Sequence, residues 1–444
     1  MSGLTERSAT QLPEEVSGAI TARLARATEE RVAERIAARD DTLWGPAGQP
    51  EVADRLGWTD VHDRLARNAT ELLAEAAQAH VDGLRDVVVL GMGGSSLAPE
   101  VFRRSFPANP DALRLHVLDS TDAQAVRDLE AQIDLDRTLF LVSSKSGGTV
   151  ETLSALHHYW ALTGEDATRF CAITDPGSGL EQIAHERGFR RIFPGDPEIG
   201  GRYSALSPFG IVPAAFAGFD IAALLAGGSA VAEACANPDA TANPGINLGC
   251  ILGELALAGR DKLTFVVDEP VASFGLWVEQ LTAESLGKHG RGILPVAGEP
   301  VGAPEAYGPD RVIVAIEGPG REHAAGVQAL RDAGLPVITL SVEGPGDLGA
   351  LMVLWEYAIA TCGWVLELNP FDQPNVQSAK DKTNAVLAAA PPQIAAAGDA
   401  ELAALLDAGP PSYLAIQAFC APSEAVDAAA AEAHIVHFGR VGVG

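Results

Sequence analysis

The 444-residue chain predicts an α/β protein with two parallel β-sheets. Three observations support this. The chain contains short, continuous apolar runs of the kind that is buried on both faces of a parallel sheet. Helical stretches separate most of these runs, and the same alternation of strand and helix occurs twice along the chain. We therefore predict an N-terminal helical segment over residues 1–80, two α/β domains over residues 81–235 and 236–425, and a tail over residues 426–444.

The predicted elements follow from hydrophobic spacing. Apolar residues recur at helical intervals between residues 13 and 85, which predicts amphipathic helices there. The first domain has five predicted strands, at residues 86–90, 113–118, 138–142, 170–173 and 191–193. The second also has five, at residues 262–267, 293–296, 311–316, 336–340 and 413–419. The most apolar window, Phe209 to Gly228, contains Pro213 and Asp220 and predicts a buried core helix rather than a membrane span.

The composition excludes several classes of function. Lys and Arg number 31 against 59 Asp and Glu, so the formal net charge is −28. This balance argues against partners such as nucleic acids and anionic membranes, which need a cationic surface. No CxxC pair occurs among the five cysteines, and we expect them to be small buried residues of a reducing compartment. The first residues lack an apolar signal core, so we expect a cytoplasmic protein.

A glycine-rich turn follows the first strand of the sheet. Gly91-Met-Gly-Gly-Ser-Ser96 leads from strand to helix, and a helix N-terminus reached through such a turn is suited to an anion. A dinucleotide fingerprint is an alternative, because Gly91 and Gly93 fit it and Asp119 ends the next strand. However, Ser96 stands at the third glycine position. A purely structural turn is also compatible with this segment alone.

A second polar turn follows the third strand and favours a phosphate ligand. Ser144, Ser146 and Thr149 bring three hydroxyls to one strand-to-helix turn, and Lys145 adds a cation. Two adjacent glycines allow the backbone to approach a ligand closely. A helix cap needs one hydroxyl rather than three. The two turns together predict a site for a phosphate monoester at the carboxyl ends of parallel strands.

Three later segments carry candidate acid–base residues. Arg202 follows two glycines and could stabilise an oxyanion. Glu284 lies in the last turn of a predicted helix and is the candidate base, with Glu279 as the competing carboxylate. Gln373 lies in a loop fixed by two prolines, and Lys380 follows on a helix that could bring it to the same point.

Taken in order, these motifs resemble those of the phosphoglucose isomerase family. The resemblance covers residues of about 85 to 385 and is closest to the isomerase half of bacterial proteins fused to transaldolase. The motifs that carry it are Gly91-Met-Gly-Gly-Ser95, Ser144-Lys-Ser-Gly-Gly-Thr149, Gly200-Gly-Arg202, Glu284-Ser-Leu-Gly-Lys288, Asn369-Pro-Phe-Asp-Gln-Pro374 and Lys380.

The resemblance implies two sugar-isomerase domains, each with a five-stranded parallel sheet and helices on both faces. It implies an aldose–ketose isomerase of glycolysis and gluconeogenesis that interconverts glucose 6-phosphate and fructose 6-phosphate through a cis-enediol, without metal or cofactor, as a homodimer. Glu284 would transfer the proton, Arg202 would stabilise the enediolate, Gln373 and Lys380 would contact the sugar, and Glu151 would support it. The implied phosphate ligands are Gly94, Ser95, Ser144, Lys145, Ser146 and Thr149.

The chain departs from the family at the histidine that opens the sugar ring. Between Glu284 and Lys380 the sequence has only His289 and His323, and neither lies in the expected local motif. His289 is the nearer candidate. His434 and His437 follow in the tail.

Two other functions remain open at this point. The chain could be a phosphosugar-sensing module that binds without turnover, or an isomerase of another hexose phosphate such as mannose 6-phosphate. All three need the phosphate loops, but only an enzyme needs Glu284, Arg202 and Lys380 together.

Overall fold

The structure is a computed structural model that describes residues 9–389 and 396–407, with residues 425, 428 and 429. This part of the chain has ten strands in two sheets and fifteen α-helices. The strands are β1 Ala9–Gln11, β2 Asp86–Leu90, β3 Arg114–Leu118, β4 Thr138–Ser143, β5 Phe170–Thr174, β6 Arg191–Pro194, β7 Lys262–Val267, β8 Leu294–Ala297, β9 Arg311–Glu317 and β10 Val337–Ser341. The helices are α1 Glu14–Glu29, α2 Val32–Ala37, α3 Val61–Val81, α4 Leu97–Ser105, α5 Ala123–Gln132, α6 Val150–Leu162, α7 Gly179–Arg187, α8 Pro208–Phe216, α9 Ile221–Ala234, α10 Pro244–Leu257, α11 Phe274–Leu286, α12 Ala324–Asp332, α13 Leu348–Leu366, α14 Pro374–Ala388 and α15 Asp399–Leu406.

The first sheet has the strand order β3-β2-β4-β5-β6, with every pair parallel. All five predicted strands of this sheet are confirmed within one or two residues. Strands β2, β4 and β5 are completely buried, as their continuous apolar runs predict. The chain leaves β2 towards β3 and then crosses back to β4 on the other side. The carboxyl ends of β2 and β4 therefore flank the crevice where open α/β sheets bind ligands.

The second sheet has the order β1-β10-β9-β7-β8 and differs from the prediction in one strand. Strands β7 to β10 are parallel and lie where the sequence predicts them. The remaining strand, β1, is antiparallel to β10 and comes from the N-terminal segment predicted as helical. Three residues are too few to produce a strand periodicity, and β1 is held by pairing with a single neighbour. The predicted strand at residues 413–419 lies outside the described residues.

The N-terminal helices pack against the rest of the protein through the predicted apolar faces. Helix α1 buries Val16, Ile20 and Leu24 and packs against α10. Beside this contact, Arg23 Nε donates to a carboxylate oxygen of Glu254 at 2.5 Å. Helix α3 packs against α8 and α9. The N-terminal segment is thus part of the main hydrophobic core rather than a separate unit.

The predicted single core helix over Phe209 to Gly228 is wrong, because two buried helices, α8 and α9, replace it. The break contains Gly218, whose φ of 68° favours glycine, and Asp220, whose carboxylate accepts from the backbone N–H of Ala223 at 2.9 Å. The prediction that the window is buried is confirmed. The segment Pro345–Leu366 is long and apolar enough to cross a membrane, but its apolar window is entirely buried inside the protein.

The prediction that the cysteines are buried is confirmed for those that the structure describes. They are free and buried: Cys171, Cys235, Cys250 and Cys362. Burial raises the pKa of the Cys171 thiol to about 12, so this group stays protonated near neutral pH. Cys420 lies outside the described residues.

The buried carboxylate of Asp86 predicts a pH-dependent stability. Burial alone would raise its pKa, but hydrogen bonds from His116 at 2.9 Å, Arg114 at 2.8 Å and the N–H of Asp134 at 3.2 Å outweigh burial and lower it. Because folding lowers this pKa, the ionised carboxylate stabilises the fold at pH values above its unfolded-state pKa of about 4. This contribution is lost as the pH falls further. We expect Asp86→Asn to lower the free energy of unfolding at pH 7 by about 1–3 kcal/mol.

Urea unfolding at a series of pH values checks this prediction. The difference between the wild type and Asp86→Asn should shrink as pH falls below about 4, where the carboxylate of the wild type becomes protonated. Asp111→Asn, at an exposed loop carboxylate, is the matched control and should change little at any pH. An Asp86→Asn difference that persists undiminished or grows well below about pH 4 would contradict the assignment.

Candidate active site

The two predicted loops lie side by side at the crevice between β2 and β4. Residues Gly93 to Ser95 form a short 3-10 turn, and α4 begins two residues later. The hydroxyl of Ser143, the last residue of β4, donates to the carbonyl oxygen of Ser95 at 3.1 Å. This bond joins the end of one strand to the loop that follows the other.

The second loop gathers the predicted hydroxyls. The side-chain oxygens of Ser144 and Thr149 are 3.1 Å apart, and Ser146 accepts from the backbone N–H of Gly148 at 3.3 Å. Gly147 has a φ of 68°, which favours glycine at this turn. Thr149 precedes α6, and Glu151 lies in the first turn of that helix. The hydroxyls and the N-terminus of α6 therefore share one turn, which suits an anion.

Lys145 is held away from these hydroxyls. Its ammonium group forms an ion pair with Asp175 and donates to the carbonyl oxygens of Asp196 at 3.2 Å and Pro197 at 3.4 Å. These partners follow β5 and β6, on the side of the loop that faces away from β2. The Asp-Pro-Gly turn at Asp175 thus carries the counter-ion of Lys145, a role that its sequence does not reveal.

Arg202 is buried and connects three segments of the chain. Its side chain is 2% exposed, and Nε donates to the Ser285 hydroxyl at 2.8 Å. Nη2 donates to the carbonyl oxygens of Pro370 and Asp372, both at 2.8 Å. Nη1 lies 3.2 Å from a carboxylate oxygen of Glu284. A buried guanidinium with this many acceptors is fixed in orientation.

Glu284 holds a hydrogen-bond donor on each carboxylate oxygen. Arg202 approaches Oε2, and Gln280 Nε2 donates to Oε1 at 3.0 Å. The side chain is 24% exposed, so it reaches the cleft. Sequence reasoning missed Gln280, although its position one helical turn before Glu284 places both side chains on one face of α11. Glu279, the competing carboxylate, is partly buried, and this burial raises its pKa.

Two glycines bring the first loop against the base and the arginine. A Cβ at Gly93 would lie 2.9 Å from Nε2 of Gln280, the donor to Glu284. A Cβ at Gly94 would collide with the carbonyl oxygen of Gly201, next to Arg202. Both loops, the guanidinium and the carboxylate therefore border one crevice.

The proline-flanked loop also reaches this crevice. The amide oxygen of Gln373 lies 3.3 Å from Nη1 of Arg202, as expected for a residue that shares the site. Helix α14 begins at the next residue and includes position 380, but the side chain of Lys380 lies outside the described residues.

Neither candidate histidine forms a hydrogen bond with the described residues of the site. His289 is exposed on the turn after α11, with a φ of 57°. No hydrogen bond joins it to Glu284 in the described part of the chain. Nδ1 of His323 lies 2.6 Å from the carboxylate of Asp268 at the end of β7, in the second sheet. His434 and His437 lie outside the described residues.

Comparison with known proteins identifies the family of this chain. The family model of phosphoglucose isomerase matches residues 11–292, which include both phosphate loops, Arg202 and Glu284. The chain belongs to the phosphoglucose isomerase family. The segment that carries Gln373 and Lys380 lies beyond the matched residues.

Several relatives support this family membership. A glucose-6-phosphate isomerase of Thermus thermophilus is 31% identical over 77% of this chain and 92% of its own length. One from Rubrobacter xylanophilus is 31% identical over 72% of this chain and 88% of its own length. One from the cyanobacterium Thermosynechococcus vestitus is 30% identical over 68% of this chain but only 66% of its own length.

Solved structures share the fold. A hypothetical protein from Thermus thermophilus, TT0462, superposes with a TM-score of 0.70 at 27% identity, over 86% of this chain and all of that one. A glucose-6-phosphate isomerase from Chlamydia trachomatis superposes with the same TM-score at 21% identity, over 83% of this chain and 85% of that one. The two-sheet α/β architecture is therefore that of the family's solved structures.

The close contact of Gly94 with Gly201 predicts a steric test of the crevice. We expect Gly94→Ala to lower the free energy of unfolding by about 1–3 kcal/mol, because the new methyl group must push backbone rather than a flexible side chain. Gly148→Ala in the second loop is the matched control, since a Cβ there meets nothing within 4 Å. Chemical denaturation of the three proteins checks this. Equal stability of the two variants would show that the first loop does not pack closely against Gly201.

Proposed function

We propose that the protein is an aldose–ketose isomerase that interconverts glucose 6-phosphate and fructose 6-phosphate through a cis-enediol. The observation that carries the proposal is the placement of the Glu284 carboxylate, between donors from Arg202 and Gln280, at the crevice that also holds the two phosphate-type loops. The names of the relatives support the same reaction.

The chemistry requires a base and an oxyanion stabiliser in fixed geometry. A proton on carbon beside a carbonyl group is weakly acidic, so its removal needs a positioned carboxylate and stabilisation of the negative oxygen that develops. Glu284 is the base that takes the proton from C2 of the aldose and returns it to C1. Arg202 is the stabiliser, because its buried guanidinium is already oriented towards Glu284 and needs little rearrangement.

The phosphate group does not react and serves as an anchor. Its ligands in this proposal are the first loop at Gly94 and Ser95, and Ser144, Ser146 and Thr149 at the N-terminus of α6. Binding energy from this remote group holds C1 and C2 opposite Glu284. The side chain of Lys145 is engaged with Asp175, so it contributes to the phosphate site only if that pair opens.

The remaining roles come from the resemblance alone. Gln373 contacts the sugar near Arg202, and Glu151 supports it from the first turn of α6. Lys380 assists ring opening, and His289 is the histidine closest in sequence to Glu284 that could share this step. We further propose a cytoplasmic homodimer that functions in glycolysis and gluconeogenesis.

Isotope exchange tests the reaction directly. Purified protein is incubated with fructose 6-phosphate in deuterated water, without added metal, and the products are analysed by NMR. We expect glucose 6-phosphate with deuterium at C2, because the carboxylate exchanges its proton with solvent while the enediol is bound. A parallel incubation with mannose 6-phosphate tests the other epimer. Binding of fructose 6-phosphate without any exchange would instead support a sensor module.

Replacement of the base gives the second test. We expect Glu284→Gln to lower kcat by at least about 10³-fold, while inorganic phosphate still protects the variant against thermal unfolding as it does the wild type. Glu279→Gln, five residues earlier on the same helix, is the matched control and should keep kcat within about threefold. If Glu284→Gln retains wild-type kcat, or if Glu279→Gln loses it instead, the assignment of the base is wrong.

A further inference from the structure

Lys288 is a buried cation that the proposed reaction does not use. Its side chain is 2% exposed and lies just after the end of α11, four residues beyond Glu284. Nζ donates to the carbonyl oxygens of Asn369 at 2.7 Å and Asp372 at 2.8 Å, and it forms an ion pair with the carboxylate of Asp372. These three acceptors all belong to the loop that leads to Gln373.

Arg202 also binds this loop. Its Nη2 donates to the carbonyl oxygens of Pro370 and Asp372. The carbonyl oxygen of Asp372 therefore accepts from both cations, each at 2.8 Å. Burial lowers the pKa of Lys288, the ion pair with Asp372 opposes this effect, and Arg202 adds to it. Two cations this close to one another need fixed negative partners.

The four charges form two pairs. Arg202 faces Glu284 at 3.2 Å, and Lys288 faces Asp372, whose side chain is 24% exposed. Arg202 already binds the backbone carbonyl of Asp372, so the carboxylate of the same residue is a candidate partner for the guanidinium once Lys288 no longer holds it. The charge on Lys288 prevents this exchange, since a carboxylate that is already paired attracts a second cation less.

We propose that Lys288 is a positioning residue for the isomerase reaction. Lys288 neutralises Asp372, so that Nη1 of Arg202 stays directed at Glu284 and Gln373. Lys288 does not need to touch the substrate and acts through Arg202, whereas the Asp372 side chain takes part only as the carboxylate that Lys288 neutralises. The proposal rests on the proposed function and adds to it the group that fixes the orientation of the oxyanion stabiliser.

The proposal predicts an unusual order of activities among three variants. Lys288→Gln leaves the Asp372 carboxylate unpaired within reach of Arg202, and we expect kcat with fructose 6-phosphate to fall about 10²-fold while KM changes little. Asp372→Asn removes the competing carboxylate and should keep kcat within about fivefold. The double variant should recover about tenfold of the activity that Lys288→Gln loses, because Arg202 again has only Glu284 as a charged partner.

Controls separate this role from general stability. Lys262→Gln is the matched control, since Lys262 is also largely buried and pairs with an aspartate, Asp261, but lies at the start of β7. It should leave kcat unchanged. Lys288→Arg keeps the charge and should be more active than Lys288→Gln. If Lys288→Gln does not fold, the activities of Asp372→Asn and Lys288→Arg still test the proposal, because a merely structural pair predicts that both are impaired.

The outcomes also separate this proposal from the proposed function. A wild type without turnover contradicts the function, whereas an active wild type whose double variant is no better than Lys288→Gln contradicts the positioning role of Lys288. A KM that rises in step with the fall in kcat also contradicts it. The unfolding free energies of the wild type, Lys288→Gln, Asp372→Asn and the double variant provide a test that does not depend on turnover. Additive values would show that residues 288 and 372 do not interact.

Discussion

The active-site crevice depends on the burial of one guanidinium group. Arg202 is nearly inaccessible to solvent, and such a charge is tolerated only where acceptors surround it. Its acceptors come from α11, through Glu284 and Ser285, and from the loop that contains Pro370 and Asp372. Segments more than 80 residues apart in sequence are therefore held together by the group that the proposed reaction needs at a fixed position.

Backbone contacts couple this group to the proposed phosphate site. The first loop touches the Arg202 segment where Gly94 approaches Gly201, and it touches α11 where Gly93 approaches Gln280. Neither approach leaves room for a Cβ without a shift. The glycines thus serve two purposes, since they expose N–H groups for an anion and they let the loop pack directly on the catalytic elements. In the proposed reaction, a substrate anchored by its phosphate is thereby placed at a set distance from Glu284.

The sequence predicts the parts of this protein whose signal is local. Nine strands of the two sheets follow from continuous apolar runs, and the loops follow from glycines and hydroxyls beside them. Features that depend on distant partners were not predictable. Strand β1 needs β10, and the ion pair of Lys145 needs Asp175. The break between α8 and α9 had local signals in Gly218 and Asp220, but the strong hydrophobicity of the window concealed them.

The proposed site must bind a dianionic phosphate group although the chain has a net charge of −28. Three cations in the described part of the site each pair with a carboxylate: Arg202 with Glu284, Lys288 with Asp372, and Lys145 with Asp175. The proposed phosphate loops offer hydroxyls and backbone N–H groups, which are neutral donors. Such donors act over short distances, whereas the field of distant acidic residues is screened by salt within about 10 Å. Recognition of the phosphate group therefore requires the exact shape of the two loops rather than an excess of positive charge.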